Sequence, residues 1–110
     1  MIDVSLCQRG ERLCLTVMGH AGYAPHGRDI VCAGVSSLCM ALVCHLEYLE
    51  AQGELISLDY RGGSGFFTCR MLCRPFASLP RSAIDLVCRG FLLIEERYPD
   101  CLQFSSRHLL

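Results

Sequence analysis

The stretch G-H-A-G-Y-A-P-H-G-R-D-I-V-C-A-G-V-S, residues 19 to 36, decides how this chain is organised, because a glycine-rich loop runs directly into a helix there. Three glycines and a proline interrupt both strand and helix over its first nine residues. Asp29 is a favoured N-cap, since its carboxylate accepts the backbone N–H groups two and three residues on. The pattern predicts a helix from Asp29 to about Ala51, with Cys32 in the first turn.

Cys32 is a candidate nucleophile because of this position. The partial positive charge at a helix N-terminus stabilises a thiolate, which is the reactive form of cysteine. A thiol nucleophile also needs a base, and His20 and His26 both lie on the loop that enters the helix. The alternative is that Cys32 is a small buried residue of an apolar helix, the ordinary environment of cysteine. Residue type and spacing alone leave both alternatives open.

The motif G-H-A-G-Y-A-x-x-G-x-D-I-V-C-A-x-V-S resembles the signature of the bacterial ribosomal-processing cysteine proteases, small enzymes that trim one ribosomal protein. The resemblance continues more weakly over most of the chain. It implies a catalytic dyad of Cys32 and His20, with Gly19, Asp29 and Ser36 as the other motif positions. It also implies that the substrate is the N-terminal extension of large-subunit ribosomal protein number twenty-seven and that the protein is a homodimer.

The resemblance predicts a cysteine endopeptidase. Cys32 attacks the scissile carbonyl, His20 passes the thiol proton to the leaving amine, and water then hydrolyses the thioester. We expect N–H groups of the first helical turn to stabilise the oxyanion. Asp29 either orients His20 or only caps its own helix. Ser36, one turn after Cys32, either joins the active-site shell or bonds back to its own helix.

The loop that carries Gly22, Tyr23 and Gly27 is predicted to be mobile and to close over a peptide substrate. The alternative function is a non-enzymatic dimeric adaptor of ribosome assembly, which would bind a peptide strand with the same loop. The variant Cys32→Ala separates the two, because an adaptor keeps its function without the thiol whereas a protease keeps only binding.

Composition narrows the class of protein. The 110 residues fit one domain, residues 1–110, and 52% of them are hydrophobic, which favours a surface covered by a second subunit. The net charge is −1, and the ten basic residues, all arginine, are spread along the chain among acids, which argues against direct nucleic-acid binding.

Because no signal-peptide pattern is present and the apolar run over 30–43 is too short to span a bilayer, we expect a cytoplasmic protein with reduced thiols. The nine cysteines show no zinc-type spacing, so no metal or cofactor is predicted.

Hydrophobic periodicity predicts the remaining elements. Two strands joined by the turn Gly10-Glu11 pair in a register that places Cys7 opposite Cys14 as free thiols. Strands follow at 55–60 and 66–72 around a loop over 61–65, then a helix at about 81–98, a short strand at 101–104 and a frayed tail. The first half of the first helix is hydrophobic all round, so we expect it to be covered on most sides. The whole is an α+β domain of order ββαββα plus a short terminal strand, with two helices packed on a mainly antiparallel sheet.

Overall fold

The computed structural model describes residues 1–109. Its strands are β1 (Ile2–Arg9), β2 (Arg12–Gly19), β3 (Leu55–Gly63), β4 (Phe66–Cys73) and β5 (Leu102–Leu109), and its helices are α1 (Ile30–Ala51) and α2 (Leu79–Arg97). The sheet order is β3-β4-β2-β1-β5, and all neighbouring strands are antiparallel except β1 and β5, which are parallel. The predicted α+β class, element order and mainly antiparallel sheet are confirmed.

The β1–β2 hairpin has the predicted register. Leu6 pairs with Leu15, and Cys7 pairs with Cys14, with both thiols free. Gly10 has a φ of 59°, the left-handed conformation that the first central position of a type II′ turn requires. One face of the hairpin is therefore apolar, and its side chains form the core with the two helices.

Two other elements are longer than predicted. β3 continues to Gly63, so the connection to β4 is the turn Ser64-Gly65 rather than a loop over 61–65. α2 begins at Leu79, because Pro80 is tolerated in the first turn of a helix, where its missing N–H has no intrahelical partner.

The prediction of a short final strand is wrong, because β5 has eight residues and pairs with the whole of β1. Arg107 and His108, which were expected in a frayed tail, are paired strand residues; the last residue of that tail lies outside the described residues. Leu102 is the buried side chain that anchors β5. On the outer side of the strand, the Phe104 N–H donates to a carboxylate oxygen of Glu95 at 2.8 Å.

α1 is the core helix of the domain. It has 22 residues, and its mean hydropathy of 1.8 over 18 residues would also suit a membrane span by length and composition. In this fold one side packs on the sheet and on α2, burying Val31, Val35, Cys39, Leu42, Val43, Leu46 and Leu49. The opposite side is open, since Ile30 is 57% and Met40 is 59% exposed. The expectation that the first half of this helix is covered on most sides is therefore not met within a single chain.

Candidate active site

The carboxylate of Asp29 connects the loop to the start of α1. Its Oδ1 accepts the N–H groups of Val31 at 3.0 Å and Cys32 at 2.9 Å, which confirms the predicted N-cap. Its Oδ2 accepts the N–H groups of Tyr23 at 3.0 Å and Ala24 at 3.3 Å. These bonds, led by that from the Cys32 N–H, hold the pKa of Asp29 below its ordinary value. One side chain thus fixes both the helix end and the path of the loop.

The sulfur of Cys32 receives a hydrogen bond from the loop. The backbone N–H of Ala21, a buried residue, lies 3.4 Å from Sγ. A donor in this position stabilises negative charge on the sulfur. Cys32 itself is partly buried, so a reactant can reach it. Ala21 was not predicted from the sequence, because the contribution of a backbone amide leaves no signal in the residue type.

The oxyanion donors expected in the first turn of α1 have other partners. The Val31 and Cys32 N–H groups donate to the Asp29 carboxylate, and the Ala33 N–H donates to the Asp29 backbone oxygen at 3.0 Å. The expectation that these N–H groups bind the oxyanion is therefore wrong for this arrangement. The N–H group directed at the Cys32 sulfur is that of Ala21.

The exposed side chain of His20 lies against the turn between β3 and β4. A Cβ atom added at Gly65 would fall 2.8 Å from Nε2 of His20, so only a glycine leaves room for the imidazole there. The Gly19 N–H donates to the Gly65 oxygen at 2.8 Å and holds the two segments together. Within residues 1–109, no hydrogen bond joins His20 to Cys32 or to Asp29.

Two further motif positions have distinct environments. Gly19 has a φ of 98°, and a Cβ there would collide with the carbonyl oxygen of Met1, so this glycine is required by the close approach of the N-terminal strand. Ser36 is exposed on α1, and its hydroxyl makes no hydrogen bond to the part of the chain that the structure describes. The bond from Ser36 back to its own helix is therefore not observed, and its place in the active-site shell stays a prediction.

The remainder of the loop is held by contacts at its centre. The ring of Tyr23 meets that of Tyr98, at the end of α2, edge to face with 5.4 Å between centroids. Gly22 and Gly27 have φ values of 70° and 86° and open space where a Cβ would lie. His26 is exposed. The loop predicted to be mobile is thus tied to α2 by Tyr23 and to α1 by the Asp29 carboxylate.

The other cysteines near the core lie in a different environment from Cys32. Burial raises the pKa of Cys39 and Cys69 to about 12 and that of Cys88 to about 11, which keeps these thiols protonated. Within residues 1–109, no group of three or more His, Cys, Asp or Glu side chains is placed to hold a metal ion.

Comparisons with known proteins agree on one family. The family model described as Cysteine protease Prp matches residues 1–103. The ribosomal processing cysteine protease Prp of Bacillus subtilis (strain 168) is 30% identical over 98 residues, which cover 86% of this chain and 85% of that protein. A crystal structure of an essential ribosomal processing protease Prp from S. aureus, with a covalently linked product peptide, has a TM-score of 0.80 at 22% identity over 97% of this chain and all of that one (100%). A second, with a substrate peptide, has a TM-score of 0.74 at 21% identity with the same coverage of 97% and 100%. At these identities the two structures show a shared fold.

Proposed function

Because this chain belongs to the family of cysteine protease Prp, it is a cysteine protease, and we propose that it removes the N-terminal extension of large-subunit ribosomal protein number twenty-seven. The name of the B. subtilis relative supports a ribosomal substrate, and the two similar S. aureus structures contain peptides. The observation that carries the mechanism is the hydrogen bond from the Ala21 N–H to the Cys32 sulfur at the start of α1. Residues 1–110 act as one protease domain.

Cys32 is the nucleophile of the proposed reaction. The Ala21 N–H and the positive end of α1 both stabilise its thiolate. The sulfur attacks the carbonyl carbon of the scissile bond, and the electron pair of the C=O bond moves onto oxygen. Because this oxygen is attached to the carbon that bonds to Sγ, the Ala21 N–H, 3.4 Å from Sγ, lies within reach of the oxyanion.

His20 is the general base. It takes the thiol proton and gives it to the nitrogen of the leaving amine, which departs and leaves a thioester on Cys32. A water molecule, deprotonated by His20, then attacks the thioester, and the collapse of the second oxyanion releases the product acid and the thiol. The turn at Gly65 lies beside the imidazole. Hydrogen bonds between nucleophile and base often tighten only when substrate binds.

Asp29 acts as a positioning residue, and the enzyme is a dyad. Its carboxylate is occupied by four backbone N–H groups, which leaves it to place the loop and the helix rather than to orient His20. Gly19 permits the close approach of β1 beside the site. The exposed hydroxyl of Ser36, one turn after Cys32, is available to the peptide backbone.

The loop positions Gly22, Tyr23 and Gly27 form the proposed contact with the peptide. Tyr23 is 48% exposed and rests on Tyr98, which gives an aromatic surface on the loop that carries Ala21. An extended peptide with apolar and aromatic side chains suits this surface.

The test is to incubate the protein with the ribosomal protein and to read the new N-terminus by mass spectrometry. His20→Ala should abolish cleavage, whereas His26→Ala should keep at least about a tenth of the rate, a difference of more than about 1.4 kcal/mol in the barrier. Equal losses in these two variants would remove His20 from the role of base. Cys32→Ala should bind the peptide without cleaving it; if processing in cells survived this change, the adaptor function would be favoured instead.

We also propose that the protein is a homodimer in the cytoplasm, where bacterial ribosomes are assembled. Large apolar side chains on the helices support a second subunit, since Met40 is 59%, Leu86 is 71% and Leu93 is 60% exposed. Sedimentation velocity should give the mass of a dimer, and Leu86→Gln should shift it toward the monomer. A monomeric wild type would contradict this proposal.

A further inference from the structure

The side of the sheet away from the helices, called the open face here, is strongly basic. It carries the exposed side chains that alternate with the core residues along all five strands. Five of the ten arginines lie on it, namely Arg9, Arg12, Arg61, Arg70 and Arg107. Only two of the eleven acids, Asp3 and Asp59, share this face. A chain with a net charge of −1 therefore has one positive side and one negative side.

Four of these arginines form a cluster at the end of the sheet away from His20. Arg107 on β5 and Arg70 on β4 lie in one row across the sheet, in which Asp59 on β3 is opposite Arg70. In the next row Arg9 is opposite Arg12. Strands are about 4.8 Å apart and alternate residues about 6.8 Å apart, so the four guanidinium groups spread over about 15 Å. The ion pairs within residues 1–109 are Arg81–Glu11 and Arg89–Asp85, and neither involves an arginine of the open face.

Hydroxyl and aromatic side chains continue the open face toward the other end. The row beyond the arginine cluster contains hydroxyl groups on four adjacent strands, from Ser5, Thr16, Thr68 and Ser105. The next row contains Phe66, which is 42% exposed. Guanidinium forks and hydroxyl groups bind phosphate oxygens, and an exposed aromatic ring stacks on a base. An acidic protein segment would be bound by the arginines alone and would leave the hydroxyl groups and the aromatic ring without a partner.

We propose that the open face binds RNA, chiefly through the phosphate backbone and the arginine cluster. The arginines are spread along the sequence among acids, which argued against nucleic-acid binding, but strand alternation brings five of them together in space. A second copy of this chain is a poor occupant, because two open faces would bring ten arginines against four acids. The surface is separate from Cys32, so this binding does not depend on the proposed protease mechanism.

The test measures fluorescence anisotropy of a labelled oligouridine of about sixteen nucleotides with the full chain, at about 50 and 200 mM salt. Arg70→Gln/Arg107→Gln should weaken RNA binding at least about tenfold. The slope of the logarithm of the binding constant against the logarithm of the salt concentration should become shallower by about 1.4, the value for two phosphate contacts on a single strand. Arg28→Gln/Arg97→Gln is the control variant, because it removes the same two charges at exposed positions that lie off the open face. It should change the affinity for RNA less than about twofold.

Further measurements distinguish RNA from an acidic protein segment and from a second copy of this chain as the partner of the open face. Arg9→Gln/Arg12→Gln gives a second, independent variant of the same cluster and should weaken RNA binding similarly. Equal losses in the test and control variants, or no RNA binding by the wild type at low salt, would overturn the proposal. So would equally tight binding of oligoglutamate, or a change of oligomeric mass confined to the open-face variants. Cleavage of a short free peptide should be unchanged in the open-face variants, so failure of the protease mechanism is scored separately.

Discussion

The contact between His20 and the turn at Gly65 predicts a specific effect of Gly65→Ala. Gly65 has a φ of 76°, and a Cβ would lie 2.8 Å from Nε2 of His20. To reach 3.4 Å, where ordinary van der Waals contact begins, the imidazole has to move by about 0.6 Å. Gly10→Ala is the matched control, because Gly10 has a φ of 59° and nothing within 4 Å of its Cβ position.

The two variants should lose similar stability and different activity. Each places an alanine in the left-handed region, which costs about 1–2 kcal/mol of unfolding free energy, and a loss of about 1 kcal/mol lowers the Tm of a domain of this size by roughly 4–8 °C. Only Gly65→Ala displaces the proposed base. Because a misplacement of about 1 Å can lower a rate about a hundredfold, we expect kcat/KM to fall at least about tenfold, or about 1.4 kcal/mol in the barrier.

Thermal unfolding and peptide-cleavage kinetics on both variants, under the same conditions, check this prediction. If the two variants have equal kcat/KM, the position of the imidazole against the turn is not the one used in catalysis. If Gly65→Ala loses far more stability than Gly10→Ala, the lost activity belongs to folding and the reasoning from the His20 contact is wrong.

Two other substitutions and one labelling experiment test separate features of the protein. The pKa of Asp29 is below its ordinary value of 3.8, so its stabilisation is present above that value and is lost as the pH falls through the lower folded pKa. Asp29→Asn cannot accept both the helix N–H groups and that of Tyr23, so it should have a lower free energy of unfolding in urea than the wild type at pH 7. The difference in unfolding free energy should disappear at low pH, and a difference that stays constant with pH would contradict this. Brief alkylation followed by peptide mapping should label Cys32 before Cys69, whose pKa burial raises to about 12, and the reverse order would argue against the nucleophile. Phe91→Ala, at a fully buried position (0% exposed), should lower the unfolding free energy by about 3–5 kcal/mol in urea, and a loss below about 1 kcal/mol would show that the core collapses around the site.

The elements that were predicted correctly are set by residues close together in the sequence. The alternation of apolar side chains and the turn at Gly10 determine the pairing of β1 with β2, because turn length and side-chain period fix the register of a hairpin. The start of α1 depends on Asp29 and on N–H groups two and three residues away. The motif that carries His20 and Cys32 was recognisable for the same reason, as its residues occupy one continuous stretch.

Only the tertiary structure decided the features that join distant segments. β5 is long because its backbone pairs with β1 at the far end of the chain, although its polar residues give no strand periodicity. The turn beside His20 lies 45 positions later in the sequence, at Gly65, and the sulfur of Cys32 accepts its hydrogen bond from a loop amide. Five of the ten arginines, although scattered in the sequence, share one face because alternation along paired strands places them there. Periodicity and capping report on neighbours along the chain, whereas these contacts arise from which surfaces pack together.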